Sequence, residues 1–271
     1  MNTIDKAREL QRLHADTELL VLVNVWDAIT AKVVAASPGT TALATASHSV
    51  AASYGYPDGE QIPRDLMIEA VGRIADAVDL PVTADLEAGY GDPGGTIARA
   101  IDVGIVGANL EDQLKPLPDA VRAVSDAVAA GERAGIPFVL NARTDAFLRA
   151  GDRDPAEVLA DAIERGRAYL DAGASTFFAP GLLDEPTVTA IVDALGPQKV
   201  NLIGIPGSLS LETMQRLGVA RVSYGPWSQN VALTALANLA ADVRAGGGIP
   251  ENTRKLNWPE LGAQVVAGAA T

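Results

Sequence analysis

The chain has 271 residues, enough for one large α/β barrel or two modest domains. Hydrophobic residues make up 48% but aromatics only 4%, so the core must rest on Ala, Val, Leu and Ile. A formal net charge of −13 without a Lys/Arg cluster argues against nucleic-acid or anionic-membrane partners. With no cysteine, disulfides, Cys-ligated zinc and thiol nucleophiles are excluded, and His14 and His48 are too few for a multi-histidine zinc site.

The opening stretch, MNTIDKARELQRLHADTE, lacks a long apolar centre and reads as an amphipathic helix, not a signal peptide. No apolar run approaches the ~18 residues of a membrane span, so a cytoplasmic location is expected. Short apolar or β-branched runs then alternate with helical patterns. The candidate strands are 19–25, 41–47, 81–87, 105–111, 137–143, 175–180, 199–205 and 219–225. Between them, Met67, Val71, Ile74 and Val78 recur on one helical face of 64–78, as do Val121, Val124 and Val128 within 118–134. Gly135, Gly173, Gly196 and Gly218 read as helix terminators, and Pro81 and Pro137 as strand starts. Residues 230–245 predict a further helix, and the tail from Gly246 a segment that docks on a neighbouring subunit. Eight βα units in about 225 residues predict a (β/α)8 TIM-type barrel, with a doubly wound open sheet as the alternative. The expectation is a single domain over 1–271, with 230–271 as C-terminal helix and tail.

In a parallel barrel the strand C-termini carry the chemistry. The run at 81–87 ends in Asp85 and Glu87, which two-residue alternation would put on one face. Two acids side by side repel unless a cation lies between them, and a hard divalent ion such as Mg²⁺ is the natural choice. The next strand ends in Asn109-Leu110-Glu111-Asp112, and the one after in Asn141-Ala142-Arg143-Thr144-Asp145. Arg143 brings a permanent cation with bidentate geometry for a carboxylate or phosphate. Metal-holding acids with an anion-gripping arginine suit a small carboxylate ligand.

Simpler roles compete. Asp112 and Asp145 could cap the helices that follow them, Arg143 could merely neutralise Glu111, and His48 reads as a polar loop residue more than a base. Tyr54 and Tyr56 read as packing residues. Gly89-Tyr90-Gly91-Asp92-Pro93-Gly94 matches G-x-G-x-x-G after a strand. Asp85, Glu87 and Asp92 would crowd a pyrophosphate with negative charge, so a dinucleotide site is not expected.

Taken in order, Leu43-Ala44-Thr45, Gly55-Tyr56-Pro57-Asp58-Gly59, ADLEAGYGD (84–92), NLED (109–112) and NARTDAF (141–147) resemble the isocitrate lyase/phosphoenolpyruvate mutase superfamily over about residues 20–230. The resemblance implies a barrel, Mg²⁺ dependence, enolate chemistry on a small 2-oxo or 2-hydroxy carboxylate, and homodimers or homotetramers that exchange a C-terminal helix. It implies Asp85 as direct metal ligand and Glu87 and Glu111 as acids holding the metal mostly through water. It also implies Asp58 as the loop acid, Arg143 as the substrate-carboxylate arginine, and Thr45-Ala46-Ser47 as the cradle for the carboxylate or oxo group, next to Asp85. The chain departs from the lyases, whose K-[KR]-C-G-H loop is replaced by QLKPLPDAV at 113–121. It departs from the mutases too, with Ala44 where they carry tryptophan and Lys115 without their partnering asparagine. Phe178-Ala179-Pro180-Gly181 lacks the His or Glu of characterised branches. The expectation is a lyase cleaving a C–C bond. The alternatives are a C–P enzyme, either phosphoenolpyruvate phosphonomutase or phosphonopyruvate hydrolase, and a non-catalytic 2-oxo-acid binding protein.

Overall fold

The computed structural model describes residues 1–256. Its strands are β1 (Leu20–Leu22), β2 (Asn24–Val25), β3 (Leu43–Thr45), β4 (Val82–Asp85), β5 (Gly107–Glu111), β6 (Val139–Arg143), β7 (Thr176–Phe178), β8 (Val200–Ile203) and β9 (Arg221–Ser223). All pair in parallel in the order β1-β9-β8-β7-β6-β5-β4-β3-β2. The run expected as one strand over 19–25 is split at Val23. Its first half pairs with β9 and its second with β3, so one extended segment joins both ends of the sheet. A closed parallel sheet needs a stagger between its first and last strands, and the chain meets it by changing partner midway. The result is the expected α/β TIM-type barrel.

The helices are α1 (Thr3–Ala15), α2 (Ala28–Ala35), α3 (Ser47–Ser53), α4 (Arg64–Asp76), α5 (Pro93–Asp102), α6 (Leu117–Ala134), α7 (Pro155–Asp171), α8 (Glu185–Leu195), α9 (Leu211–Arg216) and α10 (Trp227–Arg244). Those anticipated at 64–78, 118–134 and 230–245 are α4, α6 and α10. Gly135 ends α6 in the left-handed conformation (φ 69°), where a Cβ would be strained. Short α3 falls where a loop was expected, directly after Thr45. The core is aliphatic, with Val71, Ile74, Ile97, Leu140 and Val200 among its fully buried members.

Helix α1 closes the N-terminal mouth of the barrel. Its Ala7, Leu10 and Leu13 pack with Leu20, Ala42, Val106 and Val139, at or beside strand starts. Gly107 is required there, because a Cβ would lie 2.7 Å from Leu10 Cδ2 and 2.9 Å from the Val139 carbonyl oxygen. His14, on the same helix, is buried, and its Nδ1–H donates to the Leu10 carbonyl (2.8 Å). Burial, then the charge of Arg221, pushes the imidazole pKa down to about 3. Between that value and the unfolded one, the unfolded chain takes up a proton that the folded chain refuses. Stability is therefore full above the unfolded value and falls as pH drops through it. A loss of about 2 kcal/mol between pH 7 and pH 5 is expected from this group. Glu87 and Glu111, raised in the fold, gain stability over the same pH drop, so the comparison is between proteins. Urea denaturation should show the pH 7 to pH 5 change to be less favourable in the parent than in His14→Gln by that amount.

At the other end α10 leaves the barrel. Beyond Gln229 its residues are exposed except Leu239, including Val231 at 70% and Leu236 at 61%. The irregular tail follows from Gly246, and its residues after 256 lie outside the described region.

Candidate active site

A cavity of about 270 Å³ opens at the C-terminal ends of the strands. Thr45, Ala46, Ser47, Asp58, Asp85 and Arg143 all line it, joining six of the expected site residues on one surface. Glu87 and Glu111 do not line it. Glu111 pairs with Arg143, and Glu87 accepts hydrogen bonds from Glu60 and Tyr90.

The local backbone explains the placement. Strand β3 ends at Thr45, whose Oγ1 accepts the Asp85 N–H (3.0 Å) and locks the ends of β3 and β4 together. Ala46 is extended, and the chain then turns into α3, so that the Ser47 N–H (3.2 Å) and O–H (2.8 Å) both donate to Asp85 Oδ2. The Ser47 hydroxyl also lies 3.4 Å from Asp58 Oδ1, and Asp58 Oδ2 is 3.7 Å from His48 Nδ1. His48 is thus a half-exposed residue of α3 beside the loop acid, not a loop residue.

Asp85 and Glu87 do not share a strand face. Strand β4 ends at Asp85, and Glu87 enters the left-handed region (φ 52°). Its buried carboxylate turns away to accept the Glu60 N–H and the Tyr90 O–H, the latter at 3.2 Å. Gly89 (φ 87°) makes the turn possible: a Cβ there would lie 2.7 Å from Pro93 Cα. Burial, with Asp85 and Asp58 adding negative charge, raises the Glu87 pKa to about 7 against its backbone hydrogen bond. Asp92 caps α5, accepting the Gly95 N–H (3.0 Å), and so occupies the position a pyrophosphate would need. The glycine-rich turn is no dinucleotide site.

Glu111 and Arg143 are opposite one another in the β5–β6 register. Their ion pair is 2.8 Å long, and a second 2.8 Å bridge joins Arg143 to Asp145. The guanidinium thus both lines the cavity and neutralises acids. Burial raises the Glu111 pKa to about 8, opposed by Arg143 and aided by Asp85, Asp145 and Glu87.

Neither Asp112 nor Asp145 caps a helix. Pro116 and Asp154 precede α6 and α7. Asp112 is a buried acceptor for Thr144 Oγ1 (2.8 Å), the Asp145 N–H (3.0 Å), the Leu114 N–H (2.8 Å), Arg165 Nη1 (3.1 Å) and the Tyr169 O–H (2.7 Å). It fixes the segment that carries Arg143 and Asp145, a role not foreseen from sequence. Arg221 was also missed. It is wholly buried in β9, where burial lowers its pKa to about 10 and the charge of Asp85 opposes that fall.

Asp85 and the acids nearest it in charge, Asp58, Glu87 and Glu111, offer carboxylate oxygens, the ligand type a hard cation requires. Burial first, and the like charge of Asp85 after it, raise both Glu87 and Glu111, and a divalent cation would offset the second of these. Among the described residues no group of three His or acidic side chains converges on one point. A divalent cation held at Asp85 would therefore take most of its remaining ligands from water.

A parallel barrel with acids and an arginine at its strand C-termini defines an enzyme-like class of site. The chain belongs to the phosphoenolpyruvate phosphomutase family, which it matches over residues 10–244, within the isocitrate lyase/phosphoenolpyruvate mutase superfamily of lyases and mutases acting on small carboxylic acids. It is 34% identical to an uncharacterized protein of Mycobacterium tuberculosis, covering 94% of this chain and 95% of that one. A Burkholderia cenocepacia J2315 structure assigned as a phosphonomutase is 42% identical, with TM-score 0.82, over 88% of this chain and 99% of that one. Oxaloacetate acetylhydrolase in complex with the product oxalate is 26% identical, with TM-score 0.84 and 99% coverage of both chains. Among the described residues no helix is long and apolar enough to cross a membrane.

Proposed function

We propose that this chain is a Mg²⁺-dependent lyase that breaks a C–C bond of a small 2-oxo or 2-hydroxy carboxylic acid through a pyruvate-like enolate. The observation that carries the reading is the meeting of Asp85, Ser47 and Arg143 on one cavity wall. Asp85 would ligate the metal directly, with Glu87 and Glu111 acting through water. When bound, Mg²⁺ supplies Lewis-acid stabilisation of the developing enolate oxygen. Arg143 binds the substrate carboxylate, while Glu111 and Asp145 hold its guanidinium in place. The Ser47 hydroxyl and the Thr45-Ala46-Ser47 backbone orient the carboxylate or oxo group, and Asp58 stands at the edge beside His48.

The absence of Cys and His from 113–121 favours C–C hydrolysis or decarboxylation over reactions that need a proton-donating lid. Similarity to an oxaloacetate acetylhydrolase supports the same direction. The exposed apolar face of α10 supports exchange of that helix between subunits of a dimer or tetramer.

Calorimetry with oxalate, a planar mimic of the enolate, should give binding only when Mg²⁺ is present. Turnover assays should then release a C–C cleavage product from a 2-oxo or 2-hydroxy acid. Phosphate release from phosphonopyruvate would replace the C–C reading by a C–P one, and tight binding with no turnover would leave a binding protein.

A further inference from the structure

The cavity is electrostatically two-sided. Thr45, Ser47, Asp58, Asp85 and Arg143 occupy one side, and the facing wall is built from Leu148, Phe178, Pro180, Ile203, Ile205 and Pro226. These apolar groups come from different elements: Phe178 ends β7, Ile203 ends β8, and Leu148 follows the β6 segment.

Cations are scarce on this surface. Among the described residues lining the cavity, Arg143 is the one permanently charged cation. Glu111 and Asp145 already engage it, each at 2.8 Å. Arg149, beside Leu148 in sequence, turns instead to Asp145 (3.3 Å). His48 belongs to the head-group side, next to Asp58. The other polar lining groups, including Asn24, Asn109 and Ser223, are neutral, and Asn24 is occupied by the Tyr224 and Gly225 N–H groups (2.7 and 2.8 Å) and by the Thr45 carbonyl (2.8 Å).

We infer that the substrate is a 2-oxo monocarboxylate with a hydroxyl at C4 and an uncharged alkyl tail beyond it lying on the Leu148–Phe178–Ile205 wall, and not a di- or tricarboxylate. Breaking C3–C4 then leaves the pyruvate enolate and an alkyl aldehyde, with the proton of the C4 hydroxyl passing to water. The inference rests on the head-group assignment proposed above. One carboxylate with its oxo neighbour uses the Asp85-bound metal and Arg143. A second carboxylate would meet aliphatic side chains in a volume of about 270 Å³, losing its water without gaining a counter-charge. It would also add to the negative charge of Asp58 and Asp85. An alkyl tail at the same place gains from every apolar group removed from water.

The test is calorimetric titration of the full chain at saturating Mg²⁺. 2-Oxoglutarate is compared with 5-methyl-2-oxohexanoate, in which an isopropyl group replaces the distal carboxylate at nearly constant shape. The alkyl acid is expected to bind at least about tenfold more tightly, and affinity should rise about fourfold per added methylene from pyruvate to 2-oxopentanoate. Leu148→Lys, at a half-exposed position, should raise the ratio of 2-oxoglutarate to oxalate affinity by about tenfold. A ratio that does not move would overturn the placement of the tail. Oxalate binding accompanied by equal or tighter 2-oxoglutarate binding would overturn the alkyl-tail assignment alone. Absence of Mg²⁺-dependent oxalate binding would overturn the head-group reading, and this inference with it.

Discussion

Asp85→Asn is expected to weaken Mg²⁺-dependent oxalate binding by more than about 100-fold in a chain that still folds. Asparagine keeps the shape and one oxygen to accept from Ser47, so the contacts that hold β3 against β4 survive. What disappears is the negative charge. In the parent that charge helps to raise both Glu87 and Glu111, after burial, so its removal relieves repulsion between neighbouring acids. It also withdraws the charge that supports the buried Arg221, so the two effects on stability oppose each other. A metal ligand is kept for function at some expense of stability, and outer acids acting through water are each worth about 10–100-fold in affinity, with the direct ligand above them. Calorimetry and a thermal melt on the same preparation separate the cases. Unchanged oxalate binding would sink Asp85 as the metal ligand, and binding lost only at temperatures where the melt shows unfolding would recast it as a structural acid.

The barrel was legible because its period is written twice, in eight short apolar runs and in the three-to-four-residue spacing between them. The first run, 19–25, did not announce that it would break at Val23, since the stagger that forces the break belongs to the closed sheet and not to any local segment. The site was legible as a set of residues. Thr45, Ser47, Asp58, Asp85 and Arg143 do share a cavity wall. Its geometry was less so. Two-residue alternation assumes that the strand continues, yet β4 stops at Asp85 and the left-handed backbone at Glu87 sends that carboxylate elsewhere. Asp112 was obscured for a different reason. Arg165 and Tyr169, two of its partners, stand 53 and 57 residues away on α7, and sequence spacing carries no trace of such a contact. Arg221 did leave a signal: a lone charge in the otherwise apolar run VARVSYG, which marks a strand position facing something polar.

Asp112→Asn is expected to cost about 3 kcal/mol of stability or more, the largest effect among charge-neutralising changes outside the cavity. Both residues of the Asp112–Arg165 pair are buried, and two carboxylate oxygens receive five donors. An amide can offer one oxygen to those donors and must turn its own N–H groups toward the rest. The Arg165 cation would lose one counter-charge and keep Asp161, which receives its Nε–H at 2.8 Å, so the cost belongs near the lower end for a broken buried pair. Tyr169→Phe removes one of the five donors and leaves the charge pair intact, and should cost about 1 kcal/mol. The consequence reaches the cavity by a short route. The Asp145 N–H is anchored on Asp112, and the Asp145 carboxylate holds the Arg143 guanidinium through Nε (3.0 Å) and Nη2 (2.8 Å). At temperatures where Asp112→Asn remains folded, oxalate binding should therefore weaken about tenfold, with the Mg²⁺ requirement kept, because Asp85 and Ser47 are untouched. Urea denaturation measures the first effect and calorimetry the second. A stability change below about 1 kcal/mol would show that the five contacts are not cooperative. Full stability loss with unchanged oxalate affinity would place Arg143 under the control of Glu111 alone.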